Sequence, residues 1–407
     1  TGNLTVGTET SEITINAQLR ISNITQATKV DYENVINSGD IKLSNFGSTG
    51  GDIFVAGITW ILSYVNGPHT MTNVVNDGNI YTYNITSDTV ISYVDGTSYS
   101  HEGYVGRYGQ INNLFVSGLV NLNVGEIRNV FNYGNISSDL EETEALQESI
   151  TGTANSYIGG ITTINYNLIQ DAANSGNLIY YNSNTTSRSN FAGTIKPSPN
   201  TTSNSSIHGG IVINFEGGLV LGGISAALGN IDATILTGYK QGFTNGTAKI
   251  TDTINSGNIF GRAKEYVRSG GVLGIALSAE LAAGTFENLS DTNAIQNGPY
   301  CKGIVGASDP IGQSELSNGL NYGNVFAITQ SIGQFRGDPG TGADARYANF
   351  DRPGTFASAG GVVGYGLTKM VRMINHGTIV STDVAGGVIG ATYIIGRPNN
   401  VTNPVIT

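Results

Sequence analysis

The stretch INSGNIFGRAKEYVRSGGVLGI, residues 254–275, holds both phrases from which the rest of the chain is built. The first phrase, at residues 254–259, reads apolar residue, Asn, any residue, Gly, small polar residue, and then Ile, Leu or Val. In Asn-x-Gly we expect the Asn side chain to bond nearby backbone and the Gly to adopt a positive φ, which makes a sharp corner. The second phrase, a Gly pair followed by Val or Ile at residues 269–274, predicts close backbone approach and a second bend.

Both phrases recur along the chain. The first occurs seven times, as INSGDI (residues 36–41), VNDGNI (75–80), FNYGNI (131–136), ANSGNL (173–178), INSGNI (254–259), LNYGNV (320–325) and INHGTI (374–379). The second occurs as IGGI (158–161), HGGI (208–211), LGGI (221–224), SGGVLG (269–274), AGGVVG (359–364) and AGGVIG (385–390). Strand, corner, strand, corner describes one coil of a solenoid, and the residue after the first corner is expected to point inward.

Stacked coils lie about 4.8 Å apart, so equivalent Asn side chains can form hydrogen-bonded ladders along the axis. The expected corner ladder consists of Asn37, Gly39, Asn76, Gly78, Asn132, Gly134, Asn174, Gly176, Asn255, Gly257, Asn321, Gly323, Asn375 and Gly377. The Asn corners are unevenly spaced, so either some coils lack the phrase or long loops leave the stack.

Composition agrees with this architecture. Gly accounts for 57 of the 407 residues and charged residues for only 12%, while a hydrophobic content of 39% still allows a continuous core. We therefore predict an all-β fold, a parallel β-solenoid (β-helix) formed by residues 1–407 as a single elongated array. The net charge of −11 argues against nucleic-acid binding, and the sequence contains no apolar run of the length that crosses a membrane.

Several segments interrupt the repeat. Loop inserts are predicted at about residues 138–156, 182–207 and 333–357. One or two short helices are expected, the first at residues 138–150, where Ser138 is a suitable N-cap, and a second at residues 276–286.

The phrases resemble the GLUG-type repeat, which occurs in many large secreted and surface proteins of bacteria and some other microbes. The resemblance covers about two-thirds of the chain and rests on phrases such as residues 254–275. It implies a secreted or surface-displayed β-solenoid that works as a scaffold, adhesin arm or spacer more often than as an enzyme.

Other features favour an exported protein. A single Cys excludes a disulfide framework. The chain begins with Thr1 and shows no signal peptide, so we expect a processed product or part of a longer precursor. Candidate N-glycosylation sequons lie at Asn3, Asn23, Asn84, Asn135, Asn184, Asn200, Asn204, Asn245, Asn288 and Asn400, a number close to the chance expectation.

Candidate chemistry is sparse. The Arg-Gly-Asp tripeptide at residues 336–338 is more simply explained as a salt-bridged loop than as an integrin ligand. Cys301 is not accompanied by a recognisable base, and none of the four His residues lies in a catalytic motif. We expect no enzyme activity, no cofactor and no metal, apart from structural calcium, which stays open.

The expected function is that of a non-catalytic extracellular structural subunit of a surface appendage, fibre or filament, self-associating through its ends and loops. The strand-like stretches at residues 4–24 and 401–407 motivate this, because open strand edges recruit other chains. The alternative is a cell-surface adhesin or glycan-binding module that uses exposed corner residues such as Tyr133 and Tyr322. A polysaccharide lyase or hydrolase is a remote third reading, since acidic residues in the repeats are mostly single.

Overall fold

A computed structural model describes residues 2–7, 13–15, 18–26, 29–48, 52–87, 113–138, 150–151, 155–182, 218–228, 240–241, 248–263, 266–276, 315–329, 357–366 and 368–391. Within these ranges the regular elements are all β-strands, and the paired strands of the four large sheets are parallel. The prediction of an all-β parallel solenoid is confirmed.

The four large sheets are named I to IV in the order in which a complete coil, such as the one that starts at β6, passes through them. Sheet I contains β1 (Leu4–Gly7), β2 (Ile13–Ile15), β6 (Ile41–Ser48), β11 (Ile80–Ser87), β15 (Ile136–Ser137), β16 (Ile150–Thr151), β20 (Leu178–Asn182), β25 (Ile259–Ala263), β29 (Val325–Thr329) and β33 (Ile379–Ser381). Sheet II contains β3 (Leu19–Ser22), β7 (Ile53–Ala56), β12 (Asn113–Ser117), β17 (Asn155–Gly159), β21 (Gly218–Gly222), β26 (Tyr266–Gly270), β30 (Ala357–Gly360) and β34 (Val384–Gly386).

Sheet III contains β8 (Thr59–Leu62), β13 (Val120–Asn123), β18 (Thr162–Asn165), β22 (Ser225–Leu228), β27 (Leu273–Ala276), β31 (Val363–Gly366) and β35 (Ile389–Ala391). Sheet IV contains β4 (Tyr32–Glu33), β5 (Ile36–Asn37), β10 (Thr70–Asn76), β14 (Glu126–Asn132), β19 (Leu168–Asn174), β24 (Lys249–Asn255), β28 (Glu315–Asn321) and β32 (Lys369–Asn375). Strands β9 (Tyr64–Val65) and β23 (Lys240–Gln241) form a separate pair.

From β6 onward, each coil passes through sheets I, II, III and IV in turn and then enters sheet I again, whereas the first coil has no strand in sheet III. The Gly-pair phrase forms the bend between sheets II and III, and the Asn-x-Gly phrase forms the corner between sheets IV and I. Strands that carry successive Asn-x-Gly phrases pair directly with one another, for example β19 with β24, so each spacing between corners is one coil. The uneven spacing therefore comes from residues added within coils, and no coil between the first and last corner lacks the phrase.

Three apolar clusters fill the space between the sheets. One lies between sheets I and II, one between sheets III and IV, and a third lies between sheets II and III. In the third cluster the ring of Phe115 stacks on Phe54 at 4.7 Å and on Tyr157 at 5.0 Å between centroids, so aromatic rings of successive coils stack like the strands that carry them.

The sequence pattern of each strand follows from this arrangement. Strands of sheets II and III contact apolar residues on both faces, and so β7 (IFVA) and β8 (TWIL) are buried throughout and, apart from Thr59, apolar. Strands of sheets I and IV bury one face only, which gives β10 and β14 the same alternation of buried and exposed positions.

The expected helices and inserts fall largely outside the described residues. Of the predicted helix at residues 138–150, the part 139–149 lies outside them, and Ile150 begins strand β16. Of the predicted helix at residues 276–286, Ala276 ends β27 and the remainder lies outside. Strand β17 starts at Asn155, within the insert predicted for residues 138–156, whereas the other two inserts overlap described strands only at Asn182 and Ala357.

Candidate functional site

The corner asparagines form one hydrogen-bonded column inside the solenoid. The side-chain amide of each Asn donates to the Oδ1 atom of the Asn in the next coil, with N···O distances of 2.7–2.8 Å, in the order Asn37, Asn76, Asn132, Asn174, Asn255, Asn321, Asn375. Each amide also donates to the carbonyl of the Gly two residues later, for example from Asn132 to Gly134 at 2.9 Å. Asn76 through Asn321 are at most 1% exposed, so this inner ladder is a buried network in which amide donors and acceptors are matched.

The corner glycines do not have the positive φ that the sequence suggested. Among described glycines, only Gly7, Gly67 and Gly366 have a positive φ. The physical reason for Gly at the corner is steric instead. A Cβ on Gly134 would collide with the carbonyl group of Gly78 in the preceding coil, and the same holds at the other corners. Glycine is needed because adjacent backbones touch along the stack.

The second phrase meets the first at the centre of the coil. A Cβ on Gly57, at the bend between sheets II and III, would lie 2.6 Å from Oδ1 of Asn76 and would also collide with the carbonyl of Gly118 in the next coil. The same pair of obstacles surrounds Gly118, Gly160, Gly223, Gly271 and Gly361. The bend of the second phrase therefore contacts the corner Asn of the first phrase across the narrowest part of the coil, which we call the waist. The inner ladder lies on one side of the waist, and a column of glycines lies on the other.

Asn23 donates a hydrogen bond to the first member of the inner ladder, Asn37. It follows β3 at the position that Gly57 occupies in the next coil, because Ser22 pairs with Ala56. Its side chain reaches into the waist and donates to Oδ1 of Asn37 at 3.2 Å. The sequence marks Asn23 only as a sequon, because the first coil has Asn where later coils have Gly.

A second, outer ladder runs beside the corner. The residue after each corner Gly uses its side-chain oxygen to accept the backbone N–H of the equivalent residue in the next coil, at 2.7–3.1 Å, in the order Asn3, Asp40, Asn79, Asn135, Asn177, Asn258, Asn324, Thr378. The first phrase has a small polar residue at this position, directly after the corner Gly. The structure shows that an acceptor on a short side chain is what the position uses.

A third ladder was missed at the sequence level. Three residues before each corner Asn, the chain adopts a left-handed conformation with φ of 52–57°, at Asn34, Asn73, Asn129, Asp171, Asp252, Asn318 and Arg372. Asn and Asp tolerate this conformation best among non-Gly residues, and Asn or Asp at this position was the available signal. Side chains of this left-handed ladder also bond between coils, as from Asn318 to Asp252 at 2.6 Å.

Asp171 and Asp252 place two carboxylates in neighbouring coils of the left-handed ladder. Charges about 4.8 Å apart repel by about 1 kcal/mol even in water, and neither carboxylate can donate to the other. We expect Asp171→Asn to raise the free energy of unfolding by about 0.5–1 kcal/mol, because an amide restores a donor there and removes the repulsion. Urea denaturation at neutral pH measures this, with Asn129→Asp, which extends the run of carboxylates, expected to change stability in the opposite direction.

The surroundings of Asp31 and Tyr180 shift the pKa values of these two groups in opposite directions. Asp31 accepts the backbone N–H of Thr70 at 2.7 Å and lies 3.4 Å from His69, and these contacts lower the pKa of its carboxyl. Burial raises the pKa of Tyr180 in the core between sheets I and II far above its usual value. The ladders themselves consist mainly of amides and backbone groups, whose chemistry is to hold one coil on the next.

The chain matches no protein-family model, no curated protein and no solved structure. Over the described ranges, no group of three or more His, Cys, Asp or Glu side chains is placed to hold a metal ion. The same ranges contain no helix that is long and apolar enough to cross a membrane.

The remaining candidate residues divide into two groups. Asn3 and Asn135 belong to the outer ladder, and Asn84 lies in β11. Outside the described residues lie Asn184, Asn200, Asn204, Asn245, Asn288, Asn400, Cys301, the phrase at residues 208–211 and the Arg-Gly-Asp tripeptide at residues 336–338.

Proposed function

We propose that this chain is a non-catalytic structural subunit of an extracellular fibre or surface appendage, in which copies join head to tail by stacking coil on coil. The resemblance of its phrases to the GLUG-type repeat supports an extracellular scaffold. The stacking itself is supported by what lies at the two ends of the glycine columns.

The observation that carries the proposal is a glycine at each end that the described coil stack does not require. Among the described residues, a Cβ on Gly387 would meet nothing within 4 Å, whereas a Cβ on the equivalent Gly361 would collide with the carbonyl of Gly387. At the other end, a Cβ on Gly2 would also meet no described atom within 4 Å, whereas one on Gly39 would collide with the carbonyl of Gly2. Glycine at both positions is what a further coil above Gly387 and below Gly2 would need.

The outermost strands have the capacity to pair again. Sheet I runs from β1 to β33 and sheet II from β3 to β34, so the described part of each sheet presents a parallel edge at both ends. In the last coil, side chains that are buried in earlier coils become accessible, and Val384, Val388 and Ile389 are only partly buried. Open edges with apolar side chains beneath them recruit other strands. Addition of β1 and β3 of a second copy to β33 and β34 is a heterologous contact that does not close, and it generates a filament.

Substitution of the two end glycines tests this directly. We expect wild-type protein to form filaments visible by negative-stain electron microscopy at high concentration. Gly387→Ala and Gly2→Ala, made separately, should each abolish them while leaving the melting temperature within about 2 °C of wild type, since neither Cβ meets an atom of the described part of the chain. Ser175→Ala, an exposed corner residue inside the stack, is the matched control and should polymerise normally.

Two results would overturn the proposal. One is wild-type protein that stays monomeric at every concentration and ionic strength tried. The other is polymerisation of both glycine variants at the wild-type rate, which would place the contact elsewhere.

A glycan-binding surface module is a second candidate, favoured by the aromatic corner residues. Tyr133 and Tyr322 are each 53% exposed, and the ring of Tyr322 stacks on His376 in the next coil at 5.0 Å. Exposed ring faces of this kind suit the apolar face of a sugar. Binding on a glycan array that Tyr322→Ser removes would favour this candidate, and an array without hits would exclude the glycans displayed on it.

A further inference from the structure

We infer that the edge formed by the corners is a second self-association surface, along which two solenoids pair side by side. We call this surface the corner edge. It comprises the outward-facing residues at four positions of each coil. These are the residue before the corner Asn and the first, third and fifth residues after it. This contact is independent of the head-to-tail contact proposed above, because it uses the flank of the solenoid and not its ends.

Exposed apolar side chains are concentrated on the corner edge. Eleven large hydrophobic residues of the described ranges are exposed, and seven of them belong to it: Ile36, Tyr133, Ile179, Ile254, Tyr322, Ile374 and Val380. The row one residue before the corner is apolar in every coil: Ile36, Val75, Phe131, Ala173, Ile254, Leu320 and Ile374. The row five residues after it is apolar from Ile179 onward, through Phe260, Phe326 and Val380.

Four consecutive coils of the corner edge carry no Asp, Glu, Lys or Arg. Their members are Ala173, Ser175, Asn177, Ile179, Ile254, Ser256, Asn258, Phe260, Leu320, Tyr322, Asn324, Phe326, Ile374, His376, Thr378 and Val380. Charged residues appear elsewhere on the same coils, such as Lys249, Asp252 and Lys369 in sheet IV. The absence of charge is therefore a property of this surface and not of these coils as a whole.

A second copy of the chain is the occupant that the charge distribution favours. With a net charge of −11, two copies repel one another, and close approach is least opposed where the surface is uncharged. The two apolar rows flank the two uncharged rows between them, so either two-fold arrangement of two solenoids places an apolar row of one copy opposite an apolar row of the other. Such an isologous contact is the commonest form of homodimer.

The area of the corner edge determines how strongly two copies are expected to associate through it. Four coils at about 4.8 Å and six residues at about 3.3 Å give roughly 400 Å² on each partner, about half of a standard interface. Pairing along the charge-free coils should therefore be reversible and concentration-dependent, and it would be reinforced where many subunits are joined in one filament.

Sedimentation velocity over a wide concentration range tests the inference. It should be run on Gly387→Ala protein, in which we expect head-to-tail stacking to be blocked. We expect reversible dimers, and we expect Ile254→Asp combined with Phe326→Asp to weaken dimerisation about tenfold or more, because each carboxylate would be desolvated against an apolar row. Lys249→Gln combined with Lys369→Gln changes the net charge by the same amount at the far end of sheet IV and should leave dimerisation within about twofold of the parent.

A second variant separates loss of the contact from loss of the fold. Ile254→Thr combined with Phe326→Thr keeps residues that favour strands and should also dissociate the dimer. A parent protein that is monomeric throughout would overturn the inference, as would Asp and Thr variants that dimerise like the parent. Reversible dimers without filaments in wild-type protein would overturn the head-to-tail contact and leave this inference standing. Filaments of wild-type protein beside a Gly387→Ala parent that stays monomeric would do the reverse.

Discussion

Replacement of Asn132 by Ala is expected to lower the free energy of unfolding by about 3–5 kcal/mol. Asn132 is fully buried and lies near the middle of the inner ladder. Its removal deprives the amide of Asn76 of an acceptor, and it deprives Oδ1 of Asn174 and the carbonyl of Gly134 of a donor. Each buried polar group left unsatisfied costs about 1–3 kcal/mol, and a cavity is added to that cost.

Asn135→Ala is the matched control for this prediction. Asn135 belongs to the outer ladder three residues away, where its side chain accepts the backbone N–H of Asn177 but is exposed, so water can replace the lost contact. We expect a loss of at most about 1 kcal/mol. Urea denaturation compares the two variants, and hydrogen exchange locates the effect, because coils of a repeat array can open separately. Equal losses for the two variants would show that the inner ladder contributes no more than a surface contact.

The stacking of coils could be predicted from the sequence, whereas the reasons for individual residues often could not. Seven Asn-x-Gly phrases indicated a column of equivalent corners, and the inward residue after each corner, such as Ile80 or Ile259, is buried except at the last corner, where Ile379 is partly buried. Asn-x-Gly is a common signal for a left-handed turn, so the sequence predicts a positive φ that the corner Gly does not have. A backbone contact between coils produces the same requirement for Gly, and a single repeat cannot reveal what the neighbouring repeat places against it.

The left-handed ladder and the corner edge show a second limit. Asn73 and Arg372 share a backbone conformation although their side chains differ, so the signal was visible only as a tendency towards Asn or Asp three residues before the corner. The apolar residue before each corner Asn was recognised as part of the phrase, but an apolar residue is ordinarily taken to be buried. Ile254 at 43% and Ile36 at 67% exposure point outward instead, because the adjacent Asn occupies the inward position.

Gly160→Ala is expected to lower the free energy of unfolding by at least about 3 kcal/mol, whereas Gly387→Ala should change it by less than about 0.5 kcal/mol. The two glycines occupy the same position of the Gly-pair phrase, and neither has a positive φ. Their difference therefore isolates the steric demand of the stack from backbone strain. A Cβ on Gly160 would lie 2.6 Å from Cγ of Asn174 and would collide with the carbonyl of Gly223.

Neither group that a Cβ on Gly160 would contact can move without breaking other interactions. Asn174 is held by the inner ladder on both sides, with bonds to Asn132 and Asn255, and the carbonyl of Gly223 belongs to the backbone of the next coil. Relief of the clash would require two coils to separate at the waist, which would break the ladder there. Thermal unfolding of dilute protein compares the two variants, and a similar loss of stability in both would mean that the Gly column reflects turn conformation after all. If only Gly160→Ala is destabilised, the absence of a Cβ is what allows each Asn side chain to lie beside the bend of its own coil. The Gly of the second phrase is then needed because of the Asn of the first phrase, and neither phrase can be changed without the other.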